Sequence, residues 1–258
     1  MQKRYCLIWL MLMLGFCAAY AQEPVQEDAA ATKRVKILNS EMLSYQKVGE
    51  EGIQKLIGDV QLQQDSTFFF CDSAYFYEVA NRLEAFSRVR VEMPDSVVMI
   101  CDRLDYDANE RIAEAFKNVE LTDQKSILYT DRLTFYRTEN YGVYPNKGRL
   151  VDEDNVLTSI TGYYYPGEKM AYFKREVRLV SPDYTLETDT LGYNTETGVA
   201  TFLAPTLIIN DDGTIYTSNG NYDTRAKKVN LFDRSVVKDS TYSLAADTLY
   251  YNDSLNLG

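Results

Sequence analysis

Five aspartates each precede an aromatic residue by four positions: Asp72 and Phe76, Asp102 and Tyr106, Asp131 and Phe135, Asp189 and Tyr193, Asp247 and Tyr251. Stacked carboxylates of this kind could bind a hard cation such as Ca²⁺, which prefers oxygen ligands. They could equally cap turns where the chain changes direction, and Arg103 and Arg132, directly after two of them, favour capping. Paired acids on a β scaffold can also hydrolyse or eliminate polysaccharide, but these acids recur along the chain and do not converge on one place. Histidine is absent. That excludes Ser-His-Asp and Cys-His catalysis and an ordinary zinc site, and no enzymatic activity, cofactor or metal is expected. Cys71 and Cys101 each sit one residue before an aspartate of the ladder. They are expected as neighbours in consecutive copies of a repeat, either as small core residues, the favoured reading, or as a disulfide.

The aspartates belong to a repeat. Counting the degenerate copies at Gly162 and Ser218, the anchors fall at 41, 72, 102, 131, 162, 189, 218 and 247, a period near 29. A second marker keeps the same beat, in Val60-x-Leu62, Val89-x-Val91, Val119-x-Leu121 and Val177-x-Leu179. Both markers alternate apolar with polar residues, and Asp, Gly and Pro clusters between them form turns; this is strand chemistry. No sustained 3.6-residue apolar pattern occurs beyond residue 21. Two strands per unit, repeated about eight times, predict an all-β fold of two facing sheets, an open β-jellyroll or solenoid-like coil in which neighbouring repeats bury each other's apolar faces.

Alternation also says which side chains face inward. Ala74 with Phe76, Leu104 with Tyr106, Leu133 with Phe135, Leu191 with Tyr193, and Leu249 with Tyr251 share a face of the second strand, and the Val-x-Leu pairs of the first strand share another. Together they are expected to line an apolar interior, either an open groove or a sealed core. Tyrosine is unusual in such a place because its hydroxyl needs a partner.

The N-terminus carries the signature of a signal peptide. Lys3 and Arg4 precede the apolar run Leu7–Phe16, and Ala19-Tyr20-Ala21 reads as the cleavage site. A lipoprotein attached through Cys17 is the alternative, disfavoured by bulky Phe16. Residues 22–34 have linker composition, and 35–258 form the expected domain. The whole chain has 27 basic and 38 acidic residues. Without Lys3 and Arg4 the balance is 25 to 38, a net charge of −13, which argues against nucleic acid as a partner.

The ordered series of motifs resembles the OstA-like family, relatives of the lipopolysaccharide carrier LptA and of the N-terminal domain of LptD. Leu56-Ile57-Gly58-Asp59-Val60 resembles the family's strand opening; Cys71-Asp72-Ser73-Ala74-Tyr75, Cys101-Asp102-Arg103-Leu104-Asp105-Tyr106 and Thr130-Asp131-Arg132-Leu133-Thr134-Phe135 resemble its repeated strand segment. The phrases Leu157–Tyr165 and Ser181–Leu191 look like the Bacteroidetes-type branch. The resemblance implies an open β-jellyroll in the periplasm, possible outer-membrane association, lipopolysaccharide or lipid A held by its acyl chains, and other jellyroll domains joined end to end. An outer-membrane barrel would be a further partner, since no barrel segment is present in this chain. A structural or adhesive β-solenoid with a sealed core and no lipid cargo is the competing expectation.

Overall fold

The computed structural model describes residues 34–252, apart from 212 and 240. The expected signal peptide, nearly all of the linker and the last residues lie outside that range. The side chain of Tyr251, in the last of the five Asp-aromatic pairs, is likewise outside it.

Twenty-two strands and one short 3-10 turn, Pro94–Ser96, make up the described residues. Every strand pair is antiparallel. The strands form one hydrogen-bonded network, folded lengthwise along a crease into two leaves. Eight strands run through both leaves: β3 (Glu51–Gln64), β4 (Thr67–Tyr77), β5 (Arg82–Glu92), β6 (Val98–Asp107), β7 (Ile112–Thr122), β8 (Ser126–Tyr136), β13 (Met170–Val180) and β14 (Thr185–Asn194). The other fourteen form seven crossings broken in two at the crease, for example β9 (Tyr141–Tyr144) with β10 (Gly148–Asp152). One leaf, A, holds β2 (Met42–Val48), residues 51–57, 73–77, 82–86, 103–107 and their equivalents; leaf B holds β1 (Lys36–Asn39), residues 60–64, 67–71, 89–92, 98–101 and theirs.

The crease has a local cause. Alternate strands carry two consecutive residues with positive φ at the bend: Gly58 and Asp59, Ser87 and Arg88, Lys117 and Asn118, Arg175 and Glu176. Each pair is a bulge at which the register shifts against the neighbouring strand, and bulges bend the strand that carries them. The Asp ladder lies along this crease. Asp72 pairs with Arg88 of the adjacent bulge at 2.5 Å, and Asp102 accepts a hydrogen bond from Asn118 Nδ2 at 2.9 Å. No group of three or more potential metal ligands occurs among the described residues.

The expected all-β jellyroll is the fold found. Its strands pair as a meander, so equivalent strands of successive repeats are two apart with an antiparallel strand between them. This corrects the expected placement of the cysteines. Val89 of β5 lies between Cys71 of β4 and Cys101 of β6, which separates the two strands by roughly 10 Å. That exceeds the Cα separation a disulfide spans, and both thiols are free and buried. Burial pushes each thiol pKa up to about 12.

Candidate functional site

Pleating sends alternate side chains of both leaves into the space between them. All sixteen residues expected there are buried: Val60, Leu62, Ala74, Phe76, Val89, Val91, Leu104, Tyr106, Val119, Leu121, Leu133, Phe135, Val177, Leu179, Leu191 and Tyr193. Phe76, the most accessible, is 8% exposed. They belong to one continuous apolar cluster that runs the length of the fold from Val35 to Leu231, extended by Leu56, Phe69, Leu83, Met99, Phe173 and Leu186. The interior is closely packed along this length. It opens at the C-terminal end, where Ile215, Val237, Leu244, Ala246, Leu249 and Tyr250 surround a trough of about 500 Å³. At the opposite end β1 and β2 leave Leu38, Met42, Leu43, Tyr45 and Val48 exposed.

The interior has two long margins. One is the crease; the other is a seam where the hairpin tips of the two leaves meet. The seam is polar and charge-ordered. Asp65 of leaf B pairs with Arg111 of leaf A at 2.5 Å, Asp123 with Lys169 at 3.2 Å, Glu153 with Arg225 at 3.2 Å and Asp183 with Lys227 at 2.6 Å. In each pair the acid is on leaf B and the base on leaf A. Hydrogen bonds that involve no carboxylate fill the intervals. Gln64 donates to the Ala108 carbonyl at 3.0 Å and accepts from Arg137 at 2.7 Å, while Arg137 also donates to Thr67 Oγ1 at 2.6 Å. Asn155 donates to Thr224 Oγ1 at 3.2 Å.

This margin supplies partners for two of the six buried tyrosines among the described residues. Tyr106 and Tyr193 place their rings in the apolar interior and their hydroxyls in the seam. The Tyr106 hydroxyl bonds Gln64 and Arg137, and the Tyr193 hydroxyl donates to Asp152 at 2.6 Å. Nearer the crease, Tyr144 bonds Ser159 at 2.7 Å. Burial raises the Tyr144 and Tyr193 pKa values, Tyr144 to about 12.

Two seam carboxylates are buried and shifted in opposite senses. Burial alone would raise Asp123, but the Ser126 N–H, Tyr164, the Lys125 N–H and Lys169 together hold its pKa below the usual 3.8. Asp152 is raised, chiefly by burial, with the Tyr193 hydroxyl opposing only part of that effect. Sequence reasoning missed the seam. Its members lie 31 to 73 residues apart in pairs and carry no local pattern that joins them.

These features define a two-leaved antiparallel β-jellyroll with a through-running apolar interior and a polar seam. The family model for OstA-like proteins matches residues 32–189 and 184–247, and the chain belongs to the OstA-like family. Comparison with curated proteins finds no match. Among solved structures, the chain is similar to one described as LptH, the LptA-homologous periplasmic component of the lipopolysaccharide transport device of Pseudomonas aeruginosa. The identity is 12% and the TM-score 0.37, over 40% of this chain and 79% of that one.

Proposed function

We propose that the protein is an exported periplasmic carrier that takes the acyl chains of lipopolysaccharide, in its lipid A part, between the two leaves and passes them toward the outer membrane. One observation carries this reading: the apolar cluster that contains the sixteen lining residues is continuous from Val35 to Leu231 and unbroken by a buried charge until the seam. Membership of the OstA-like family supports it. The acidic net charge suits a protein that grips its cargo by the chains and leaves phosphates to solvent. Transfer along such an interior forms and breaks no covalent bond, so no catalytic residue is required.

The exposed strands at the ends fit partners. Among the described residues, β1 and β2 at one end, and β21 (Ser243–Ala246) and β22 (Leu249–Asn252) at the other, each pair with a neighbour on one side only, and such edges can be extended by a further jellyroll domain. An outer-membrane barrel is the acceptor at the far end of such a series.

The test is photocrosslinking in cells with a photoreactive residue at Phe76, and at Arg103 as the outward control. Arg103 lies over the Phe86 and Phe116 rings on the outer face of leaf A. Lipopolysaccharide adducts at Phe76 alone establish the interior as the lipid site. A second reading draws on the close packing of the interior: a sealed structural or adhesive scaffold with no lipid cargo. Absence of adducts in folded, exported protein selects it.

A further inference from the structure

The closed interior raises the question of how a chain could enter it. With the lining residues almost wholly buried, an acyl chain has no vacant path between the leaves until they move apart. The two margins differ in what holds them. Along the crease, unbroken strands and bulges join the leaves covalently. Along the seam, only side chains do, and most of the ion pairs there are partly solvated: Glu153 is 60% and Lys227 43% exposed. Exposed pairs of this kind are individually weak, and each of their groups is rehydrated on separation.

The seam is incompletely filled at one place. Between the tips Asp65–Ser66 and Met93–Asp95 of leaf B and Arg111, Arg137 and Asn140 of leaf A lies a cavity of about 250 Å³, bordered by the Asp65–Arg111 pair, and Phe135 of the apolar interior forms part of its wall. The tip there is a 3-10 turn with Asp95 at φ 59° and Ser96 at φ 62°.

We propose that the seam is a lateral gate, hinged at the crease and opening first beside Met93–Asp95, through which acyl chains enter sideways. This rests on the reading of the interior as the lipid site. The uniform order of the pairs, acid on leaf B and base on leaf A, lets every rung close onto its partner without like charges meeting.

Cys71 and Cys101, buried beside the crease and inert while the leaves are together, report an opening that reaches the hinge. The first measurement, on the protein from Gln22 onward, which retains only these two of the four cysteines, is their rate of alkylation under native conditions, compared with the rate of global unfolding. The expectation is labelling faster than unfolding, rising about tenfold in Arg137→Met with global unfolding much less affected. It is suppressed when Asp65→Cys/Arg111→Cys is joined by a short bis-maleimide. Labelling that tracks global unfolding in all three proteins overturns the gate. The second measurement repeats the Phe76 photocrosslinking on the joined and unjoined double variant. Loss of lipopolysaccharide adducts on joining supports lateral entry, and equal adducts in both overturn it in favour of entry through the C-terminal trough. Rapid thiol labelling without adducts in the unjoined protein leaves the opening established and overturns the acyl-chain reading.

Discussion

Removing the cation opposite Asp123 tests whether the seam is held by charge. The Asp123 side chain is 1% exposed and Lys169 is 32% exposed, with Nζ 3.2 Å from the carboxylate. Stripping one partner from a fully buried pair costs about 3–5 kcal/mol. Here the carboxylate keeps the Ser126 and Lys125 N–H groups at 3.0 and 3.2 Å, and Lys169 is already partly hydrated. Lys169→Met, which keeps the aliphatic stem, is therefore expected to cost about 1–2 kcal/mol at pH 7. The pH dependence follows from the sign of the shift. The folded-state pKa of Asp123 is below its unfolded value of 3.8, so its contribution is present above that value and lost as pH falls through the folded pKa. In Lys169→Met the folded pKa rises. The difference between variant and wild type should then be full at pH 7 and shrink toward zero at a pH acid enough to protonate the group in both. Urea unfolding at both pH values measures it. An undiminished difference at low pH would show that Lys169 acts through packing, and the electrostatic account of the seam would fail.

Further expectations concern other parts of the frame. Asp152 carries a raised folded pKa, so its contribution to stability is fully present below the unfolded 3.8 and lost as pH rises through the folded value. Tyr193→Phe removes its 2.6 Å donor and should cost about 1–2 kcal/mol at pH 7, whereas Asp152→Asn should be tolerated at that pH; urea midpoints that fall equally in both would contradict this assignment. At the crease, Lys117 has φ 61°, so Lys117→Gly should be neutral or slightly stabilising and Lys117→Val should lose about 1–2 kcal/mol in thermal or urea unfolding. Gly148 and Gly162 sit on either side of the Tyr144 ring, and a Cβ at either would overlap it. Gly162→Ala should therefore destabilise by about 1–3 kcal/mol, with recovery in Gly162→Ala/Tyr144→Leu; failure of the second change to recover stability would place the strain elsewhere.

What could be read from the sequence follows from what strand periodicity reports. Alternation states which side a residue faces, and all sixteen residues assigned to the interior by that rule are buried there. The same rule is blind to strand direction, because a parallel coil and an antiparallel meander put identical residues inward. That is why Cys71 and Cys101 were expected on neighbouring strands and prove to have Val89 between them. The crease was hidden for a different reason. Of its positive-φ residues, Gly58, Asp59 and Asn118 are types that favour this conformation, whereas Ser87, Arg88, Lys117, Arg175 and Glu176 carry no such signal. The seam depends on which tips meet, which no local pattern contains.

The tyrosines connect the two margins into one mechanical argument. Phenylalanine at 106 and 193 would extend the apolar surface to the hairpin tips and close the leaves by burial alone, at a cost of separation that grows with area. Charged groups at those positions would draw water into the interior. A tyrosine ring continues the apolar lining while its hydroxyl exchanges one hydrogen-bond partner for water when the leaves separate, a net change of only about 0.5–1.5 kcal/mol. Tyr106 with Gln64 and Arg137, and Tyr193 with Asp152, place such groups at two positions far apart along the seam. The closed state is held by many small terms that can be relinquished one rung at a time from the gap beside Met93, while the unbroken strands at the crease keep the leaves in register throughout. An interior that is dry at rest and reached through such a margin combines protection of an apolar guest with reversible access to it.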